Sequence, residues 1–145
     1  MKISEVKADD KIYEELIRLS EKWEAENSCY GYRANKKEDI EGNRIFLAAQ
    51  DGKIIGYLFG HKTRKESMRS AVPLDKDCFE VMEIFVEKEY RNKGAGKALF
   101  KYMEEQVEEE YIVACTATKN YKAILHFYID EVGMIFHSAS LYKKK

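Results

Sequence analysis

The sequence predicts a mixed α/β domain, antiparallel in its first half and built of βαβ units in its second. Three observations carry that prediction. An Asp-Gly pair separates two apolar runs, segments of helical periodicity alternate with short β-rich runs, and a glycine pair joins an apolar strand to a helix. At 145 residues and 45% hydrophobic content, one domain over residues 1–145 with a substantial core is expected.

Taken in order, "KISEV" alternates apolar and polar residues and reads as a first strand. Asp9 or Asp10 then offers an N-cap, and Ile12, Tyr13, Leu16, Ile17, Ser20 and Trp23 recur at helical spacing. That helix is expected to end near Glu26. The segment "NSCYGYRANKKEDIEGN" is loop-rich, with room for a short helix over Lys36–Glu41. "RIFLAAQDGKIIGYLFGHKT" predicts a hairpin turning at Asp51-Gly52.

The stretch from Arg64 to Asp77 holds the sole proline and few large apolar residues, which predicts a long loop. "CFEVMEIFV" is then a strand with two carboxylates inside an apolar run. Ala95, Ala98, Leu99, Tyr102, Met103, Gln106 and Val107 mark the next helix, and "YIVACTA" a short strand that ends on a buried Cys115. Asn120 is a fitting cap for a final helix whose stripe is Tyr121, Ile124, Leu125, Tyr128, Ile129 and Val132. Gly133 stops it, and "MIFHSASLYK" is expected to close the chain as a last strand.

Composition excludes several classes. Twenty-five Lys and Arg balance 26 Asp and Glu, so no basic excess argues for nucleic-acid binding. The three cysteines form no C-x-x-C pair, and His61, His126 and His137 lack metal-ligand spacing, so no metal site is expected. Reduced thiols, a charged N-terminal stretch and the lack of a long apolar run predict a cytoplasmic protein with neither leader nor membrane span. The acidic run "EEQVEEE" reads as a solvated helix face.

The chemistry concentrates in "RNKGAGKAL". A nucleotide P-loop fails, because Ala98 stands where a hydroxyl must reach magnesium and Arg91 where the first glycine belongs. A dinucleotide fingerprint fails for want of a third glycine at Leu99. What remains is R-x-x-G-x-G between a strand and a helix. Its main-chain N–H groups and helix N-terminus suit a pyrophosphate bound without metal, with Arg91, Lys93 and Lys97 nearby.

Those residues resemble the signature of the GCN5-related N-acetyltransferase (GNAT) family. The apolar strand, the Val86-x-x-x-x-Arg91 spacing and Arg91-x-x-Gly94-x-Gly96 all match, and "NYKAILHFYIDEVGM" matches a second motif of that family. Met134 replaces the usual Phe there, at a packing position. The resemblance implies a GNAT-type fold: a mostly antiparallel central sheet flanked by helices, with a splayed strand pair at the cofactor site. It implies acetyl-CoA as donor. The backbone of Ile84, Phe85 and Val86 would pair with pantetheine. Arg91, Asn92, Lys93, Gly94, Ala95, Gly96 and Lys97 would hold the pyrophosphate, and Asn120, Ala123 and Phe127 would line the same ligand.

Acetyl transfer to an amine needs a base for the amine and a proton for the departing thiolate. Glu83, with Glu80 as alternative, is the candidate base, acting directly or through water. Strict alternation puts the two on opposite faces, and a β-bulge between them would change that. The resemblance assigns Tyr128 as the acid.

The resemblance implies a primary amine as acceptor, a small molecule ahead of a protein amine, in a pocket shaped by Trp23 to Arg33 and His61 to Asp77. Within these, Glu24, Glu26 and the aromatics of "WEAENSCYGY" suit a cation. Lys62, Arg64, Lys65 and Arg69 argue against a polycation approaching from the second segment. A non-catalytic acyl-CoA-binding regulatory module is the alternative function, and a homodimer the first assembly to test.

Overall fold

The computed structural model describes residues 1–64 and 71–145. One five-stranded sheet runs in the order β1 (Lys2–Val6), β2 (Arg44–Gln50), β3 (Lys53–Thr63), β4 (Cys78–Val86) and β5 (Tyr111–Ala114). The first three pairings are antiparallel, and β4 with β5 is parallel. The predicted hairpin forms with Asp51 at φ 51° and Gly52 at φ 76°. Two successive left-handed residues match the twist of the flanking strands.

Helices cover both faces. On one side α1 (Asp10–Glu26) and α2 (Lys37–Ile40) bury Leu16, Leu19 and Ile40 against Ile45, Leu47, Tyr57, Phe59 and Phe85. Asp9 is the cap of α1, accepting from the Ile12 N–H at 2.9 Å. On the other side α3 (Ala95–Gln106) packs Leu99, Phe100 and Met103 onto Phe46, Leu58, Phe79 and Val81. Each such side chain contributes roughly 1.5–3 kcal/mol on full burial, so the sheet is held by two separate apolar layers.

One irregularity in β4 shapes the rest. Val81 pairs with Gly60 and Glu83 with Phe59, leaving Met82 as an extra residue in the ladder. This bulge sits where β4 leaves β5: the parallel register ends at Val81 opposite Ala114. Gly60 makes room for it. A Cβ there would collide with the Glu80 carbonyl oxygen and lie 2.8 Å from the Phe79 ring.

The end of β4 is pinned by a buried charge. Glu87 is 1% exposed, and its N–H bonds the Ile55 carbonyl at 2.8 Å. Its Oε2 meets Lys53 at 3.1 Å. Its Oε1 faces Lys22 at 3.2 Å and Arg18 at 3.5 Å, in ion pairs rather than aligned hydrogen bonds.

Three expectations are corrected. First, no strand follows β5: residues 134–145 are irregular, with Ile135 93% and Leu141 94% exposed. The alternation is present, but a strand needs a partner edge. Second, the final helix is α4 (Tyr121–Leu125) continued by a π-helical turn over His126–Glu131. The wider turn breaks the predicted stripe, leaving Tyr121 and Ile129 exposed while Phe127, Tyr128 and Val132 meet the core. Third, β5 stops at Ala114 and Cys115 is exposed. Met134 packs on the core as expected. Within the predicted loop 64–77, residues 65–70, including Lys65 and Arg69, lie outside the described residues.

The clash at Gly60 is with main chain, which cannot rotate away. Gly60→Ala should therefore destabilise the fold by about 3 kcal/mol or more, read as the urea midpoint at unchanged slope. A Gly60→Ala protein within about 0.5 kcal/mol of the parent would contradict the bulge geometry.

Candidate active site

The bulge gives Glu80 and Glu83 the same face. Glu80 pairs with His61 and Glu83 with Phe59, positions two apart on β3, and Phe59 belongs to the layer packed under α1. Val81, one residue before the bulge, belongs to the opposite layer.

Glu83 is half-buried, and its Oε2 accepts from Asn35 Nδ2 at 2.7 Å, Tyr57 Oη at 2.8 Å and Tyr32 Oη at 3.4 Å. Burial pushes its carboxyl above the usual 4.5, against the lowering effect of those three donors. Oε1 accepts no hydrogen bond among the described residues and is not among the sealed oxygens. One oxygen is therefore held and the other is available.

An aromatic series runs from this carboxylate toward the glycine turn. Tyr32 stacks on Trp23 at 4.2 Å between centroids, Trp23 on Phe85 at 5.4 Å, and the Arg91 guanidinium lies 5.2 Å from the Phe85 ring. Arg91 is also tied down by hydrogen bonds, donating to the Val86 carbonyl at 2.7 Å and to Glu26 Oε1 at 2.6 Å. Its side chain thus braces the turn against α1. Glu24 is engaged as well, accepting from the Ala34 N–H at 2.6 Å. Of the acidic pair expected to meet an amine, both members are used to hold loops.

The glycine turn follows. Asn92 (φ 59°) and Gly94 (φ 87°) are left-handed, and a Cβ at Gly94 would meet nothing within 4 Å. The first intrahelical bond runs from the Ala98 N–H to the Gly94 carbonyl at 2.9 Å, so the N–H groups of Ala95, Gly96 and Lys97 precede it. Gly96 has a different reason to be glycine: an added Cβ would lie 3.3 Å from the Phe127 ring. Lys93 donates to the Glu89 carbonyl at 3.0 Å, and Lys97 is exposed.

The β5 side of β4 is open from Glu83 to Val86, because no register with β5 extends past Val81. Since the Glu87 N–H bonds to β3, alternation turns the Phe85 main-chain groups to β3 and those of Ile84 and Val86 to the open side. Of the three residues expected to meet pantetheine, Phe85 thus presents its backbone to β3 and its ring to α1. The Val86 carbonyl is already occupied by Arg91.

Asn120 caps α4, accepting from the Ala123 N–H at 3.4 Å. Phe127 and Tyr128 pack together at 5.2 Å on the α3 layer. Burial pushes the Tyr128 hydroxyl up to about 12, and the Cys29 and Cys115 thiols add to the shift. Cys29 bridges to Thr118, flanked by the bonds Tyr30 N–H to Ala117 O (2.9 Å) and Lys119 N–H to Ser28 O (2.8 Å). The loop after α1 therefore spans from Glu83, through Tyr32, to Tyr128, through Cys29. Among the described residues there is no group of three or more His, Cys, Asp or Glu side chains fit to hold a metal.

These elements are those of a known family. The profile of the acetyltransferase (GNAT) family matches residues 10–134. The chain belongs to that family. Solved GNAT structures share its fold. An aminoglycoside 6'-N-acetyltransferase from Acinetobacter haemolyticus superposes with a TM-score of 0.69 at 15% identity, covering 100% of this chain and 98% of that one. An aminoglycoside N-acetyltransferase in complex with CoA gives 0.68 at 17% identity, over 99% of this chain and 98% of the other. An aminoglycoside acetyltransferase from an uncultured soil metagenomic sample, bound to sisomicin, gives 0.67 at 19% identity, over 99% and 96%. No curated protein sequence matches. Among the described residues no helix is long and apolar enough to cross a membrane.

Asn35 and Tyr57 escape the sequence reading. Asn35 sits in a polar loop among residues of the same kind, and Tyr57 looks like any aromatic of an apolar strand. The pairing of Arg91 with Glu26, 65 positions away, carries no local signal.

The raised Glu83 carboxyl has a stability consequence. Its folded value lies above the unfolded one, so the folded state holds the proton more tightly. Stability from this group is present below about pH 4.5 and is lost as pH rises through the folded value. Glu83→Gln removes that loss. The variant should therefore gain in urea midpoint relative to the parent between pH 4 and pH 7, and parallel profiles would refute the burial argument.

Proposed function

We propose that this protein is an acetyl-CoA-dependent N-acetyltransferase that acetylates the primary amine of a small molecule by direct transfer, residues 1–145 acting as one catalytic domain. The observation that carries this reading is the open stretch of β4, which runs from a held carboxylate at Glu83 to the free N–H groups of α3.

The residues fit the donor. Ile84 and Val86 turn main-chain groups outward, as an extended amide ligand adding to a strand edge requires. The N–H groups of Ala95, Gly96 and Lys97 converge at a helix N-terminus, which suits a pyrophosphate. The space beyond Gly94 is clear. When bound, acetyl-CoA supplies the activated acyl group as a thioester.

This chain's residues then handle the protons. The amine must lose one to become nucleophilic, and Glu83 Oε1, raised in basicity by burial, takes it directly or through a water. The new C–N bond would form as the C–S bond breaks, and the second proton of the amine nitrogen would pass to the departing sulfur, directly or through a water, to give the free thiol. The Tyr128 hydroxyl donates a hydrogen bond to that sulfur. Near pKa 12 it stays protonated at neutral pH, so it is always a donor. Full proton transfer to a thiolate of ordinary pKa about 8.5 is uphill by roughly 5 kcal/mol, so stabilisation by hydrogen bonding is its principal contribution.

For the acceptor, the half-buried Trp23 and Tyr32 beside Glu83 suit an ammonium group arriving through its protonated form. Several structural neighbours are aminoglycoside acetyltransferases, which makes amino sugars the first acceptors to screen.

The test is a panel of amino sugars, polyamines and amino acids followed by thiol release, alongside calorimetry with acetyl-CoA. Acetyl-CoA binding should vanish in Gly96→Asp, and retained binding would sink the pyrophosphate assignment. Tyr128→Phe should lower kcat about 10²-fold, and Glu83→Gln should lower kcat/KM about 10²- to 10⁴-fold, both with acetyl-CoA affinity kept. Binding without turnover on any amine would point instead to an acyl-CoA-binding module.

A further inference from the structure

The carboxylate of Glu83 is not simply buried; it is gripped through a polar chain rooted in α1. Ser20 is fully buried in the middle of that helix's apolar face, and its hydroxyl donates to the Ile17 carbonyl at 2.8 Å. The same oxygen accepts the Asn35 backbone N–H at 2.9 Å. Asn35, 8% exposed, extends Nδ2 to Glu83 Oε2 at 2.7 Å, the shortest of the three bonds that oxygen accepts. Polar groups are expensive to bury, and an alanine at position 20 would satisfy the helix packing without one. Outside its own helix the serine hydroxyl meets the loop after α1, at the Asn35 N–H and at the Tyr32 hydroxyl.

We propose that Asn35 is a positioning residue which, held to α1 through Ser20, pins Oε2 of Glu83 and leaves Oε1 facing the acceptor. This rests on the reading of Glu83 as the base. The grip is asymmetric by design of the contacts: Asn35 and Tyr57 both bind Oε2 at hydrogen-bond distance, and Tyr32 adds a loose third at 3.4 Å. Rotation of the carboxylate would break two good bonds at once, so the proton-accepting atom is fixed.

Among the described residues, Glu83 is faced from several elements. Tyr57 faces it from β3 and Tyr32 from the loop after α1, and both phenols are raised, which keeps them protonated donors at neutral pH. Asp39 contributes a like charge from α2, and Glu80 shares the face on its own strand. Asn35 does not titrate. Its amide stabilises the charged form of Glu83 at every pH, so removing it must move the Glu83 titration upward.

The test is a carbon-13 NMR titration of the Glu83 carboxyl in the full chain without acceptor, paired with the pH profile of kcat/KM. In Asn35→Ala the Glu83 midpoint should rise by about one unit or more, and the acid limb of the profile should rise with it. Ser20→Ala keeps the Asn35 side chain and should shift both in the same direction by less. That second variant decides the matter if the first fails to fold. An unchanged Glu83 midpoint in a folded variant overturns the proposal. A midpoint that moves while the acid limb stays put overturns Glu83 as the base and leaves the Asn35 contact standing.

Discussion

One extra residue in β4 governs this structure. Met82 has no partner on β3, and Gly60 opposite it leaves the space that the displaced main chain needs. A bulge increases local twist, and the parallel ladder with β5 ends one residue before it. Past that point β4 keeps only its β3 neighbour. The consequences are a strand edge left without a ladder partner in the interior of a sheet and two carboxylates, three residues apart, on one face. Both are what the proposed site requires: the edge would offer hydrogen bonds to an extended ligand, and the face carries the carboxylate proposed as the base.

Helix α1 is the element that binds these parts together. It contributes Trp23 to the aromatic series, Ser20 to the grip on Glu83, Glu26 to Arg91, and Glu24 to the loop at Ala34. Lys22 and Arg18 reach the buried Glu87 at the strand end. The proposed donor side and the proposed acceptor side thus hang on one helix. The aromatic contacts in particular carry position from Tyr32 to the Arg91 guanidinium without any long flexible side chain in between, which limits how far the two halves can drift.

Much of this was legible in the chain, and the boundary of legibility is physical. The turn at Asp51-Gly52, the cap at Asp9 and the strand–glycine–helix junction are local, written in residues whose conformational preferences do not depend on distant partners. GNAT membership rests on such local spacing, now joined by a family match over residues 10–134. The bulge is different: Met82 has no signature of its own, and the clue lies on another strand, in Gly60. The π-turn at His126–Glu131 defeats a 3.6-residue count, so the stripe through Tyr121 and Ile129 fails. The tail fails for the opposite reason, since alternation in "MIFHSASLYK" describes a strand that finds no edge. Asn35 and Tyr57 become meaningful only once the fold brings them to Glu83, 48 and 26 positions away.

The central claim is that the open edge of β4 and the start of α3 together receive acetyl-CoA. Amide hydrogen exchange, residue by residue, addresses it without any acceptor or turnover. Addition of acetyl-CoA should slow exchange at Val86 and at Ala95, Gly96 and Lys97, with Ile84 following, while Phe85, already turned to β3, changes little. Protection that spares this edge and the helix start, or that falls equally on Phe85, would contradict the account.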